Sequence, residues 1–288
     1  MKSIMLATDF SERSDRALRR ATLLAEEFGA SLSIVHVVDD DQPQRIVDRE
    51  REIAENHLRI LKSTVTKVDG IACTSEVRLA APDVGIAQAA QNARPDLLVI
   101  GPHRRQALRD MFVGTTAERT IRSVECPVLM VNAPPVGHYR RALLSTDFSA
   151  GARCAAECFQ ALGMARKMDV AMLHVFDAPA LRLAMSHTMG MDERKSYIAD
   201  QSNNAERELS EFTASLDAFP VRQLLRYAER TPAEEIQLAA QSEEADLIVV
   251  GTQGASGLLR VFLGSVAKDV LRTTDRDVLA VPLRPFHG

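Results

Sequence analysis

Tryptophan is absent from this chain of 288 residues, tyrosine occurs 3 times, and aromatic side chains amount to 5%. Proteins that hold single-stranded nucleic acid by stacking need such rings, and phosphate backbones call for a basic face. With 35 Lys and Arg against 39 Asp and Glu, a net charge of −4, neither is supplied. Nucleic acid is therefore not an expected partner. Apolar runs fall well short of the roughly 20 residues needed to span a membrane. The opening MKSIMLATDF reads as a short strand followed by polar residues rather than a signal peptide. A cytoplasmic protein with no membrane partner is expected. Cysteine is scarce too: Cys73 and Cys126 lie in or beside predicted strands, and Cys154 and Cys158 lie one helical turn apart. No histidine cluster nearby completes a metal site, so these are read as small buried side chains.

What the chain does contain is a repeat. Thr8, Asp9, Phe10 and Ser11 recur as Thr146, Asp147, Phe148 and Ser149. SIVHVVD, ending at Asp39, recurs as AMLHVFD, ending at Asp177, with His36 matched by His174. DLLVIG (Asp96 to Gly101) recurs as DLIVVG (Asp246 to Gly251), and PVLMV from Pro127 recurs as DVLAV from Asp277. Such self-similarity means duplication. NAPPVGHYR is the one Pro/Gly-rich break between the copies, so domains are expected at 1–133 and 141–288, joined by a linker at 134–140. The second copy carries additional residues in or near Asp177 to Tyr197. Its Met185, His187, Met189 and Met191 read as adaptable apolar packing rather than a soft-metal site.

Within each copy, apolar strand runs alternate with helical periods, such as Ala17, Ala21, Leu24 and Phe28. Uniformly apolar strands joined by helices predict an α/β fold with a parallel sheet covered on both faces, its ligands at the carboxyl ends of the strands where the order reverses. That convergence brings Asp147 to Gly251 and Asp9 to Gly101. Each aspartate reads either as a ligand acceptor or as an Asx-turn or helix cap. His36 and His174, inside strands, read as satisfied core histidines.

The stretch GTQGASGLLRVFLGS, Gly251 to Ser265, joins a strand to a helix. Its glycines let backbone N–H groups approach an anion, and Ser265 stands where a helix N-cap is expected. The same glycines also suit an ordinary turn, and the motif is neither the GxxxxGK[ST] loop nor the GxGxxG fingerprint.

TDFS after the first strand, HV near the end of the second, and glycines spaced as Gly251, Gly254 and Gly264 before Ser265 together resemble the universal stress protein family. The resemblance covers almost the whole chain, twice. It implies two five-stranded, Rossmann-like α/β domains of the adenine nucleotide alpha hydrolase type, self-association through the last strands as an intrachain pseudo-dimer and a homodimer, and ATP binding, with Mg or Mn as an open question. Carried over residue by residue, adenine-side contacts fall on Thr146, Asp147 and the backbone of Val175. Phosphate contacts fall on Gly251, Gln253, Gly254, Gly264, Ser265 and Val266. The corresponding first-copy positions are Thr8, Asp9, Val37, Gly101, Arg104, Gly114 and Thr115. There Arg104 replaces the second glycine and Pro102 lacks an N–H, so the first site is expected to be degenerate, with Arg104, Arg105 and Arg109 on a solvated loop; the alternative is that these arginines grip an anion with their side chains. One nucleotide site, in the C-terminal half, is expected, in a regulatory stress-response protein that acts as a switch on an unknown protein partner. The rivals are an interaction scaffold that binds no nucleotide and an adenylate-handling enzyme. No general base beyond Asp147 stands near the predicted phosphates, which leaves at most slow ATP hydrolysis.

Overall fold

The computed structural model describes residues 1–102, 116–182, 190–216, 221–254 and 263–283. The first copy runs β1 (Ser3–Ala7), α1 (Glu12–Phe28), β2 (Ser31–Val38), α2 (Gln44–Lys67), β3 (Cys73–Leu79), α3 (Pro82–Ala93), β4 (Leu97–Ile100), α4 (Thr116–Ser123) and β5 (Val128–Met130). The second runs β6 (Arg141–Thr146), α5 (Ala150–Ala161), β7 (Asp169–Phe176), α6 (Pro179–Arg182), α7 (Met191–Ala214), β8 (Arg222–Tyr227), α8 (Pro232–Ser242), β9 (Leu247–Gly251), α9 (Ser265–Thr273) and β10 (Asp277–Val281). The short α6 lies in the additional segment of the second copy; Met185, His187 and Met189 lie outside the described residues.

All ten strands form one sheet in the order β3-β2-β1-β4-β5-β10-β9-β6-β7-β8. Neighbours within each half are parallel. The halves meet where β10 runs antiparallel to β5, with Leu279 opposite Leu129. This pairing is the intrachain pseudo-dimer, and it closes the inner edge of each half-sheet.

Alternation along each strand feeds two cores. Ile4 and Leu6 pack with Ala17, Ala21 and Leu24 of α1 on one face, in a cluster that continues through Leu129 and Leu279 into the second half. Met5 and Ala7 face the other way, toward Ala89 of α3 and Ile121 of α4. Helices α1, α5 and α8 begin at side-chain caps. Ser11 Oγ accepts from Ser14 N, and Ser149 Oγ from Ala152 N at 3.2 Å. Thr231 and Glu234 form a capping box ahead of Pro232 in α8. Gly29 ends α1 in the left-handed region at φ 64°.

The repeated aspartate before the fourth strand of each copy is a clamp. Asp96 Oδ2 accepts from the backbone N–H of Ser3, and Asp246 from those of Arg140 and Arg141. Each ties the start of that copy's first strand to the fourth, which fixes how their far ends meet.

Candidate functional site

Because β1 pairs with both β2 and β4, the strand order reverses between β1 and β4, and a cleft opens at their carboxyl ends. The same holds for β6, between β7 and β9. The first cleft, about 490 Å³, is lined by Thr8, Asp9, Arg13, His36, Val37, Gly101 and Pro102 among others. The second, about 300 Å³, is lined by Thr146, Asp147, Val175, Gly251, Gln253, Gly254, Gly264, Ser265 and Val266 among others. All nine residues expected at the C-terminal site are thus brought to one cleft. Of the first-copy set, Thr8, Asp9, Val37 and Gly101 line theirs, whereas Arg104, Gly114 and Thr115 lie outside the described residues, as do Arg105 and Arg109.

The TDFS turn is built alike in both copies. Asp147 Oδ1 accepts from Ser149 N at 3.1 Å, and Asp9 Oδ1 from Ser11 N at 3.0 Å, so each aspartate makes an Asx-turn while the following serine caps the helix. Thr146 Oγ1 accepts from Phe148 N, and Thr8 Oγ1 from Phe10 N. The turn drives Phe10 and Phe148 to φ 57° and 61°, a strained region for an aromatic residue. What holds them there is stacking: Phe10 on His36 at 4.3 Å between ring centroids, and Phe148 on His174 at 4.2 Å. Each histidine is in turn fixed by Nδ1–H donating to a carbonyl, Thr8 O at 2.8 Å and Thr146 O at 2.9 Å. Burial holds both imidazoles below their ordinary pKa, outweighing those bonds. They are satisfied histidines whose work is to pin the turn. For Asp9, burial pushes the carboxyl pKa up, but hydrogen bonds from Ser11 and Ser14 outweigh it and hold the group below its ordinary value.

The glycines have separate reasons. A Cβ on Gly251 would stand 2.7 Å from Gly151 O, so this glycine is required by the packing of β9 on α5. A Cβ on Gly254 would meet Asp147 Oδ2 at 2.6 Å. Gly264 differs: its φ is −57°, and a Cβ there would be in ordinary contact, 3.5 Å from Thr252 O. The fold does not need a glycine at 264.

Gly264 is also the N-cap of α9, and no side chain caps that helix. Ser265 is therefore the first helical residue and not the cap expected from the sequence, because Gly264 N–H bonds to Thr252 O and the helix opens one residue earlier, with Lys268 N–H reaching Gly264 O. Ser265, Val266 and Ala267 line the cleft, which puts the first turn of α9 and the positive end of its dipole at that cleft.

One position beside the second cleft escaped the sequence reading. A Cβ on Gly151 would lie 1.8 Å from Gln253 O, so only glycine in the first turn of α5 lets the Gln253–Gly254 segment lie where it does. The signal was present in the repeat, where Gly151 aligns with Arg13.

A parallel α/β sheet with glycine-edged clefts at its order reversals, made twice and joined by its last strands, defines a tandem, Rossmann-like α/β protein. The profile of the Universal stress protein family matches residues 1–132 and again 138–282. The chain belongs to the universal stress protein family, as a tandem member. A universal stress protein of Mycobacterium tuberculosis (strain ATCC 25618 / H37Rv) is 24% identical over 285 residues, covering 93% of this chain and 92% of its own length. One of Methanocaldococcus jannaschii is 28% identical over 142 residues, covering 46% of this chain and 83% of its own length. The crystal structure of a universal stress protein from Archaeoglobus fulgidus has the same fold, with a TM-score of 0.71 at 19% identity and 98% of both chains covered.

Proposed function

We propose that the C-terminal cleft binds ATP and that the bound nucleotide sets the conformation of the glycine segment, making the protein a nucleotide-dependent switch. Gly264 carries this reading. A residue the fold does not require to be glycine is glycine at the uncapped start of a nine-residue helix, at the mouth of a cleft. Space and unpaired N–H donors at that point suit a phosphate.

In this reading Thr146, Asp147 and the Val175 backbone hold the adenosine end. Gly251, Gln253, Gly254, Ser265 and Val266 supply the phosphate cradle, with Gly264 leaving it open. Asp147, which lines the cleft beside Gly254, would accept a hydrogen bond from the ligand in this reading. Any magnesium or manganese would arrive with the nucleotide, since no cluster of three or more His, Cys, Asp or Glu stands among the described residues. Phosphate contacts at the start of α9 exist only when ligand is present, which makes occupancy a conformational signal. The protein partner that reads this signal and the pairing of whole chains belong to the same proposal.

The test is calorimetric titration of the whole chain with ATP, beside Gly254→Arg, which copies Arg104 of the first half. Binding of one ATP that disappears in the variant is expected. Equal affinity in the two proteins overturns the assignment of the cleft.

A further inference from the structure

Three isoleucines of α2 face water. Ile46, Ile53 and Ile60 are 37%, 49% and 56% exposed. They lie to one side of Val47, Ala54, Leu58 and Val65, the buried residues that pack α2 on β2 and β3. They recur every seven residues, close to two helical turns, and so form one stripe about 21 Å long. Isoleucine is β-branched and has no advantage on a solvated helix face.

The duplication supplies the control. In α7, Ala205 and Leu209 repeat the buried Ala54 and Leu58. On that alignment Asn204 and Glu211, both exposed, stand where the first copy has Ile53 and Ile60. The corresponding helix of the second copy therefore does without an apolar stripe, and the stripe on α2 calls for something that covers it.

Symmetry and charge identify the cover. Ile46 and Ile60 are equally far from Ile53, so a two-fold axis through Ile53 sets Ile46 of one chain on Ile60 of the other, twice, which is the self-complementary pattern of an isologous contact. Residues 39–52 carry six acidic and three basic side chains, while residues 54–67 carry one acidic and three basic. Antiparallel helices lay the acidic half of each copy along the basic half of the other, with Asp39, Asp40 and Asp41 toward Lys67; parallel helices would set like on like. The last strands are already engaged, because β5 and β10 pair with each other inside the chain. We propose that α2 is the contact between two copies of this chain, packed antiparallel about Ile53. The proposal rests on the pairing of whole chains named with the proposed function, and it uses neither cleft. One helix from each chain makes a small interface, so the dimer is a reversible one.

The test is sedimentation equilibrium of the whole chain from micromolar to submillimolar concentration, beside a chain carrying Ile53→Asn and Ile60→Glu, which copies α7. A reversible dimer is expected for the native sequence, weakened at least about tenfold in the double variant. The unfolding midpoint of the variant in dilute solution should match the native one, since both side chains are exposed. Lys67→Glu should also weaken the dimer, and by less at high salt. A native chain that is monomeric throughout, or a double variant that pairs as tightly, overturns the proposal. A dimer that Lys67→Glu leaves unchanged or tightens overturns the antiparallel arrangement. ATP affinity of the double variant should equal that of the native chain, and α2-dependent pairing of a chain that binds no ATP would remove the nucleotide reading and leave this one standing.

Discussion

Arg20 Nε of α1 lies 3.3 Å from Asp277 Oδ2 of β10, an ion pair between the two halves with side chains 5% and 0% exposed. The pair is held by proximity and not by a hydrogen bond from Nε; Arg20 Nη1 donates instead to Gly137 O at 2.6 Å. The guanidinium lies 3.8 Å above the Tyr139 ring, and Tyr139 Oη donates to Asp277 Oδ2. Asp277 Oδ1 accepts from the N–H groups of Asn132 and Ala133, both at 2.9 Å. One carboxylate thus fastens the linker, α1 and the last strand together.

Removing that carboxylate strands the arginine. Asp277→Ala is expected to destabilise the chain by about 3–5 kcal/mol, the usual cost of leaving one buried charge unpaired. Arg20→Met should cost less, because Asp277 keeps three other donors. Urea unfolding of both variants checks the order, and a larger loss for Arg20→Met contradicts it.

Asp277 shows where sequence reading reached its limit. The repeat aligned it with Pro127, so the change of residue was visible. Its partner Arg20 comes from the far end of the chain, and only the antiparallel β5–β10 pairing brings them together. The meeting of the first and fourth strands in each copy, and the cleft at their ends, were legible because duplication displayed them twice, whereas Val175, Gln253 and Val266 were named only through the family resemblance. Gly151 was not, because its need is set by the carbonyl of Gln253 arriving from another element. Ser265 was misplaced by one residue, since glycine as well as serine begins helices. Of the four cysteines read as buried, only Cys158 is; Cys73, Cys126 and Cys154 are partly covered because they lie toward the edges of their packed faces, and burial pushes the Cys126 and Cys158 thiols up to about 12.

The two stacked histidines set a pH dependence. Burial lowers their folded pKa below the ordinary 6.5, so in acid the unfolded chain takes up protons that the folded chain refuses. Their contribution to stability is complete above pH 6.5 and is lost as the pH falls from there toward their lowered values. Unfolding midpoints at pH 7.5 and 5.5 should therefore differ more for the native sequence than for a chain with His36→Gln and His174→Gln. Equal differences would mean the histidines are solvated.

Gly151→Ala tests whether the C-terminal cleft depends on the approach of two backbones. The added methyl would sit 1.8 Å from Gln253 O, so the Gln253–Gly254 segment must move away from α5. Overpacking of this kind costs about 1–3 kcal/mol. The displaced segment should also lower ATP affinity by at least about tenfold, since phosphate contacts depend on backbone placement. Stability lost with full ATP affinity would make Gly151 a packing residue alone.

Gly264→Ala separates ligand from fold most sharply. Its backbone angle suits any residue and the methyl meets nothing closer than 3.5 Å, so the substitution should leave the unfolding midpoint nearly unchanged. If the space in front of α9 is reserved for phosphate, the same methyl intrudes on it, and ATP affinity should drop by about tenfold or more. Nucleotides with fewer phosphates give the internal control: adenosine, which does not reach the helix N-terminus, should lose less than ATP. A uniform loss across adenosine and ATP would place the effect in the shape of the cleft and not in the phosphate cradle.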